Sequence, residues 1–368
     1  MKVALAHDFL VKLGGAERVL KTFADMFPDA PIFTLFYHEK KVGSVFPKER
    51  IKGLPLQTLA RLSTIDYRLP TSHRLLLPFM PTAIESLDFS GYDLVLSSNT
   101  ALMHGLITNL DTRHVCYCHS PARYLWDYFH RYQGEHRITG WKKALLGKMT
   151  SGIREWDQAV AKRDTLYIAN SKNVQQRIQK YYRKESTLIY PPVDTDRFKL
   201  APTTDGSFLI VCTLAKYKKI DLAVELFNRL GHPLVIIGAG EQRRYLESIA
   251  KPNVRIMGFR TDAEVTDYMQ RCRAFLFLSD DDFGITAVEA MACGKPVIAY
   301  GHGGALETVT PGENGELFEQ QSVSSLEKAL GRFFIREKNY DPKRIRKLAE
   351  RFGRKAFEQS IRRIISGE

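Results

Sequence analysis

The chain has 368 residues, 44% hydrophobic and 26% charged, a composition that excludes a disordered or fibrous protein and a length natural for two domains. No run of about 18 uninterrupted apolar residues occurs, so no membrane span is predicted. Five cysteines without framework spacing exclude a disulfide scaffold and imply a reduced, cytoplasmic protein. The net charge of +13 is uneven: residues 1–199 hold 29 Lys and Arg against 19 Asp and Glu, residues 200–368 only 25 against 22. A basic first half suits an anionic membrane surface or acceptor, or is solvated charge. The basic residues are scattered and lack a helix-turn-helix, RNA-binding or zinc pattern, which argues against nucleic acid.

In chain order, Lys2 to His7 reads as a first strand, charged too soon for a secretory signal, and Ala16 to Met26 as an amphipathic helix. Ile32 to Tyr37, Leu94 to Ser97, His114 to Cys118 and Leu166 to Ala169 are further strands; Cys116 and Cys118 fit strand alternation better than a metal pair. After Pro191-Pro192 the rhythm restarts with strands at Ser207 to Cys212, Pro233 to Ile237, Val254 to Met257, Ala274 to Leu278 and Pro296 to Tyr300. Helices are predicted at Leu222 to Leu230, Gln242 to Ala250, Ala263 to Arg271, Phe283 to Ala292 and Ile345 to Ile365. Such alternation means parallel sheets covered by helices, here two doubly wound domains facing across a cleft, with ligands beyond the carboxyl ends of the strands.

Two stretches stand outside this rhythm. In residues 55–90, Leu59, Leu62, Ile65, Leu69, Leu75, Leu76, Leu77, Phe79 and Met80 alternate with Arg61, Arg68, His73 and Arg74. This face would rest either on an anionic membrane or on its own domain. Tyr124 to Arg163, with Trp126, Phe129, Trp141, Lys142, Lys143 and Lys148, offers either an acceptor or membrane contact or plain core.

The densest chemistry lies in Asp281 to Pro296. A helix opening at about Phe283 turns its free N–H groups and positive end toward a diphosphate, so the backbone at Phe283, Gly284, Ile285 and Thr286 is a donor-site candidate. Glu289, about two turns in, is placed for ribose hydroxyls, and Asp281, just outside the helix, for sugar hydroxyls. Gly14-Gly15, before a helix N-terminus, lets the backbone approach a ligand or simply makes a tight turn. His119 ends a strand and is either a cleft residue or a buried structural histidine. His7 and Asp8 also follow a strand, and a loop-structural role suits them better. Lys218 is placed to neutralise a diphosphate, and Gly258-Phe259 to hold a base; Gly303-Gly304 would line the same site. Asp280, Asp281 and Asp282 imitate a metal-binding Asp-x-Asp, but helix capping accounts for such acids and no metal is predicted. Gly238-Ala239-Gly240 lacks the third glycine of a dinucleotide fingerprint, so no NAD site is predicted.

These stretches together resemble retaining glycosyltransferases of the GT-B fold, glycosyltransferase family four, group 1, which includes bacterial α-mannosyltransferases. Asp281 to Glu289 resembles the family's acid-x7-Glu motif, and Tyr117 to Asp127 the strand-end histidine stretch of polysaccharide mannosyltransferases. Gly14 to Glu17, Asn170-Ser171, Tyr190 to Asp194, Lys218 to Asp221 and Gly238 to Glu241 are similar to its other signposts. Two positions depart: Thr213 stands where the family usually has an arginine five residues before the lysine, and Asp281 replaces the usual glutamate. Lys216 or Lys219 would compensate for the arginine, or is a solvated loop residue.

The resemblance implies an N-terminal acceptor-side domain at 1–191, to which a C-terminal helix (about 353–368) crosses back, and a donor-binding domain at 192–352. It implies hexose transfer with retention from a nucleoside diphosphate sugar, GDP-mannose foremost and UDP-glucose still open, with no cofactor or divalent metal. His119, Lys218 and Asp281 would be catalytic; Gly14, Gly15, Lys218, Gly258, Phe259, Phe283, Gly284, Ile285, Thr286 and Glu289 would bind the donor. The implied acceptor is a polyprenyl-diphosphate-linked glycan of a surface polysaccharide, met at the inner face of the cell membrane. A catalytically decayed nucleotide-binding protein, and an epimerase or inverting transferase of the same fold, are the other classes open.

Overall fold

The β-branched and aromatic runs of the first half form one parallel sheet. In the computed structural model, which describes residues 1–62, 76–135, 139–201 and 203–367, the chain divides into two compact units. Unit 1 is Met1–Tyr190 with Glu358–Glu368, and unit 2 is Pro191–Phe357.

Unit 1 carries β1 (Val3–Leu10), β2 (Ile32–Tyr37), β3 (Ile51–Gly53), β4 (Leu94–Asn99), β5 (Arg113–Cys118), β6 (Thr165–Ala169) and β7 (Ser186–Leu188) in the order β3-β2-β1-β4-β5-β6-β7. The central strands are buried on both faces, as sheets covered by helices require: Ala4, Leu5, Ala6, Val95, Leu96, Val115 and Cys116 are wholly inaccessible. Unit 2 repeats the plan with β8 (Phe208–Val211), β9 (Leu234–Ile237), β10 (Val254–Gly258), β11 (Ala274–Phe277), β12 (Val297–Tyr300) and β13 (Gly315–Phe318), ordered β10-β9-β8-β11-β12-β13. All pairings between these strands are parallel. In each sheet the order reverses beside the first strand, which is where doubly wound sheets open a ligand crevice.

The short strands β3, β7 and β13 had no counterpart among the sequence expectations. The helix expected from Phe283 opens instead at Ile285: Gly284 takes φ +89°, a left-handed conformation that ends the loop and delays the helix. The single helix expected over Ile345 to Ile365 is two, Pro342–Glu350 and Arg354–Ser366. Between them Phe352 and Gly353 leave helical geometry to meet Val193, whose N–H donates to the Phe352 carbonyl at 2.9 Å. The second helix ends in unit 1, where Arg113 donates to the carbonyls of Ile364 and Ile365 (2.8 and 2.7 Å).

Ile65, Arg68, Leu69, His73, Arg74 and Leu75 lie outside the described residues, as do the side chains of Leu59, Arg61, Leu62 and Lys142. Of the described part, Leu56, Leu76, Met80, Ile84 and Leu87 belong to the core of unit 1, while Phe79 is exposed. Trp126 and Phe129 are packed, the first stacked on Tyr181 and the second under Arg154. Burial pushes the Cys116, Cys212 and Cys293 thiols up to about 12, so they behave as small hydrophobes.

One buried polar knot stabilises unit 1. Asp157 and His104 are both inaccessible, and His104 Nε2 lies 2.7 Å from Asp157 Oδ1. The carboxylate also accepts from Tyr182 Oη (3.2 Å) and Trp126 Nε1 (2.8 Å), and His104 Nδ1 meets Tyr167 Oη at 2.8 Å. Removing the shared acceptor strands three donors at once, those of His104 and Tyr182 buried and that of Trp126 half-buried. Asp157→Ala is therefore expected to cost about 3–5 kcal/mol, read as a lower urea midpoint, whereas a loss under about 1 kcal/mol would deny the knot this role.

Candidate functional site

In unit 1 the carboxyl ends of β1, β4 and β5 bring together residues far apart in the chain. Asp8 is fully buried and accepts five hydrogen bonds, from the N–H groups of Thr100, Ala101, Leu102 and Met103 and from the Thr100 hydroxyl. It shapes the turn after β4. Parallel pairing sets His7 beside Ser98, and Ser98 beside Tyr117, two residues before His119. His119 is half-buried; its Nε2 lies 2.9 Å from Ser98 Oγ and its ring packs edge-on against Tyr117. Burial, with the neighbouring His7 charge, lowers its pKa to about 3, so it is neutral at pH 7.

Gly14 caps the helix Gly15–Met26, but its N–H already donates to Glu17 Oε2 at 2.8 Å. At this helix start the chain's own carboxylate engages the Gly14 N–H, as in a capping box. Glu17 Oε1 in turn lies 3.8 Å from His7 Nε2. Burial disfavours both charges, yet each sustains the other: the His7 pKa is raised and that of Glu17 lowered. His7 and Asp8 are residues of β1 itself, not of the loop expected after it.

In unit 2 the turn Lys216–Lys218 follows β8, and Lys218 Nζ reaches Asp281 Oδ2 at 2.5 Å and Ser279 Oγ at 3.4 Å. Burial works against the ammonium, but Asp281 outweighs it and raises the Lys218 pKa. Lys218 and Asp281 are therefore one preformed ion pair. The three neighbouring acids diverge: Asp280 meets His302 Nδ1 at 3.0 Å, Asp281 takes the lysine, and Asp282 lies half-buried on the same turn. Among the described residues no cluster of three His, Cys, Asp or Glu suits a metal ion. Thr213 is exposed near the carboxyl end of β8.

The helix Ile285–Ala292 starts from Gly284, and Ala287 N–H bonds back to the Gly284 carbonyl at 3.0 Å. Ile285 and Thr286 supply the N–H groups of its first turn, which lack intrahelical acceptors. Phe283 turns its side chain into the core against Phe352, so only its backbone remains for a ligand. Gly304 supports this acidic loop: its N–H donates to the Asp281 carbonyl at 3.0 Å, and a Cβ there would sit 2.2 Å from Phe283 Cα. Gly303-Gly304 thus packs closely against this loop.

Glu289 is 4% exposed on the second turn of that helix. Arg197, which sequence reading passed over, brings Nη2 to 3.8 Å from Glu289 Oε1 while its Nη1 donates to Asp262 at 3.1 Å. Arg197 Nε and Nη2 are buried without a hydrogen-bond acceptor among the described residues. Only the arginine next to the Asp194 stretch could have signalled it. Arg346 fixes both sides of this pairing, donating to the carbonyls of Thr195, Phe198 and Ala292. Near Asp262, Gly258 ends β10 and Phe259 stands 76% exposed, a free aromatic face.

Two parallel sheets of this order, each a Rossmann-like unit, define an α/β protein of the GT-B fold. Residues 13–197 match the family model described as Glycosyltransferase Family 4, and residues 192–359 the one described as Glycosyl transferases group 1. The chain belongs to glycosyltransferase family 4 of the GT-B class. An uncharacterised glycosyltransferase of Methanocaldococcus jannaschii is 28% identical over 169 residues, 44% of this chain and 48% of that protein. The α-1,3/1,6-mannosyltransferase alg-2 of Neurospora crassa is 28% identical over 177 residues, 38% of each chain. The chain thus spans about half or less of the length of these relatives. The structure of Anabaena HepE in complex with UDP-glucose superposes with TM-score 0.72 at 19% identity, covering 100% of both chains. That likeness establishes the fold.

Proposed function

We propose that this glycosyltransferase moves a hexose, foremost mannose from GDP-mannose, with retention of configuration onto a lipid-linked glycan. The observation that carries this reading is the order of groups around the helix Ile285–Ala292. Lys218 with the first-turn N–H groups suits the diphosphate, Asp281 the hexose, Glu289 the ribose, and exposed Phe259 the base. The bond from the anomeric carbon to the diphosphate breaks, and a bond to the acceptor oxygen forms on the same face. The acceptor's proton passes to the departing diphosphate, whose charge Lys218 and the helix N-terminus stabilise. The resemblance of the Tyr117 to Asp127 stretch gives His119 its reading as a donor-sugar residue. The Tyr117 to Asp127 and Tyr190 to Asp194 stretches support mannose over glucose.

A thermal-shift screen of GDP-mannose, GDP, UDP-glucose and UDP tests this reading. A ligand at about 100 times its Kd adds roughly 2.7 kcal/mol to the folded state. GDP-mannose should stabilise most; stabilisation by UDP-glucose alone would replace the donor, and none by any of the four would defeat the reading. Incubation of the stabilising sugar with acceptor, and assignment of the product anomer by NMR, then decides retention.

For the acceptor we place a polyprenyl-diphosphate-linked glycan on unit 1. The helix Gly140–Val160 exposes Trp141 (72%) and Leu145 (50%) beside exposed Lys143 and Lys148, a pattern suited to peripheral contact with an anionic bilayer at the inner face of the cell membrane. No helix among the described residues is long and apolar enough to cross a membrane.

A further inference from the structure

The hydrogen bonds around His119 run in one direction only. His7 Nδ1 lies 2.8 Å from the Ser98 carbonyl, and a carbonyl only accepts, so Nδ1 of His7 carries a proton. That same N–H faces Ser98 Oγ at 3.1 Å, so the hydroxyl oxygen is an acceptor on that side. Ser98 is wholly buried, and its own proton must go elsewhere. Its remaining hydrogen-bond partner among the described residues is His119 Nε2, at 2.9 Å. Were His119 protonated at Nε2, the hydroxyl would accept twice and its proton would be stranded in the interior. Such a loss disfavours that tautomer by about ten-fold or more. The His7 side of the chain is anchored in turn by Glu17, which holds the Gly14 N–H.

We propose that Ser98, oriented by His7, is the positioning residue that locks His119 with its proton on Nδ1, making that nitrogen a hydrogen-bond donor for an oxygen of the donor hexose. The target oxygen rests on the reading of His119 as a donor-site residue; the tautomer does not. His119 then serves as a fixed donor and not as the base that receives the acceptor's proton, which leaves that proton to the departing diphosphate. The low pKa of His119 agrees with a ring that stays neutral. The arrangement also explains why a serine follows Ser97 at the end of β4: Ser97 bonds His114 Nε2 at 2.8 Å on the opposite face, and strand alternation gives each serine its own histidine.

The test is a long-range proton–nitrogen NMR spectrum of the full chain labelled with ¹⁵N-histidine, with His119 assigned by its loss in His119→Gln. At pH 7 the wild-type ring should show a bare Nε2 and a protonated Nδ1. Ser98→Ala should move it toward the opposite tautomer, and Ser98→Thr, which keeps the hydroxyl, should restore it. In the same variants, affinity for the nucleotide sugar should fall about ten-fold in Ser98→Ala and recover in Ser98→Thr, with affinity for the nucleotide alone unchanged. A wild-type ring protonated at Nε2, or doubly protonated, overturns the lock even if no variant folds. The expected tautomer with His119 resonances unmoved by any nucleotide sugar overturns the hexose target, and with it the role given to His119 in transfer.

Discussion

Glu289→Ala is expected to lower nucleoside diphosphate affinity by about 100-fold, or roughly 2.7 kcal/mol, measured by calorimetry with whichever nucleotide stabilises the wild type. Two charge-assisted hydrogen bonds from ribose hydroxyls to a carboxylate that is 4% exposed are of this size, since such bonds contribute about 1.5–3 kcal/mol each before the cost of ordering the ligand. The same carboxylate lies 3.8 Å from Arg197, so alanine also leaves the guanidinium with Asp262 as its remaining charge partner. Glu289→Gln keeps an acceptor in place and should lose only about ten-fold. Unchanged affinity in the alanine variant would refute the ribose assignment.

The second large effect concerns the Lys218–Asp281 pair, and its sign depends on which partner is removed. Lys218→Ala leaves a half-buried carboxylate beside the place where the diphosphate would lie, so it removes an attraction and uncovers a repulsion. Nucleotide affinity should fall by about 100-fold or more, of the order expected for one ion pair at an effective dielectric near 20. Asp281→Asn frees the ammonium and should tighten the bare nucleotide several-fold, while discrimination between nucleotide sugar and nucleotide declines. The double variant should bind nucleotide better than Lys218→Ala alone, a coupling that calorimetry reads directly. Independent effects, adding with no coupling, would mean that the pair seen in the structure does not persist when ligand is bound. The stakes are greater here because position 213 is threonine: no second guanidinium shares the phosphate charge from that position.

Much of the architecture was legible because strands and helices advertise themselves through local periodicity. Ile32 to Tyr37 is a strand of the same bounds in sequence and structure, since five β-branched or aromatic residues in six leave little alternative. Boundaries were less legible where one backbone conformation decides them. Gly284 at φ +89° moves a helix start by two residues, and the Phe352-Gly353 break depends on pairing with Val193, distant in the chain. The site followed the same division. Glu289 could be placed by counting along a helix from Asp281, whereas the engagement of Gly14 N–H by Glu17 could be read only from side-chain geometry.

By itself the sequence determined the alternating elements, the two-unit plan and the run of acids around one helix start, because each is governed by neighbours within a few residues. The tertiary structure alone decided which charges meet. Lys218 and Asp281 are 63 residues apart, and Arg197 meets Glu289 from a different segment of unit 2. His7 meets Ser98 across 91 residues and passes the contact to His119. Parallel strands are joined through crossovers of arbitrary length, so their register, and hence the partners at their carboxyl ends, is set by packing of the whole sheet.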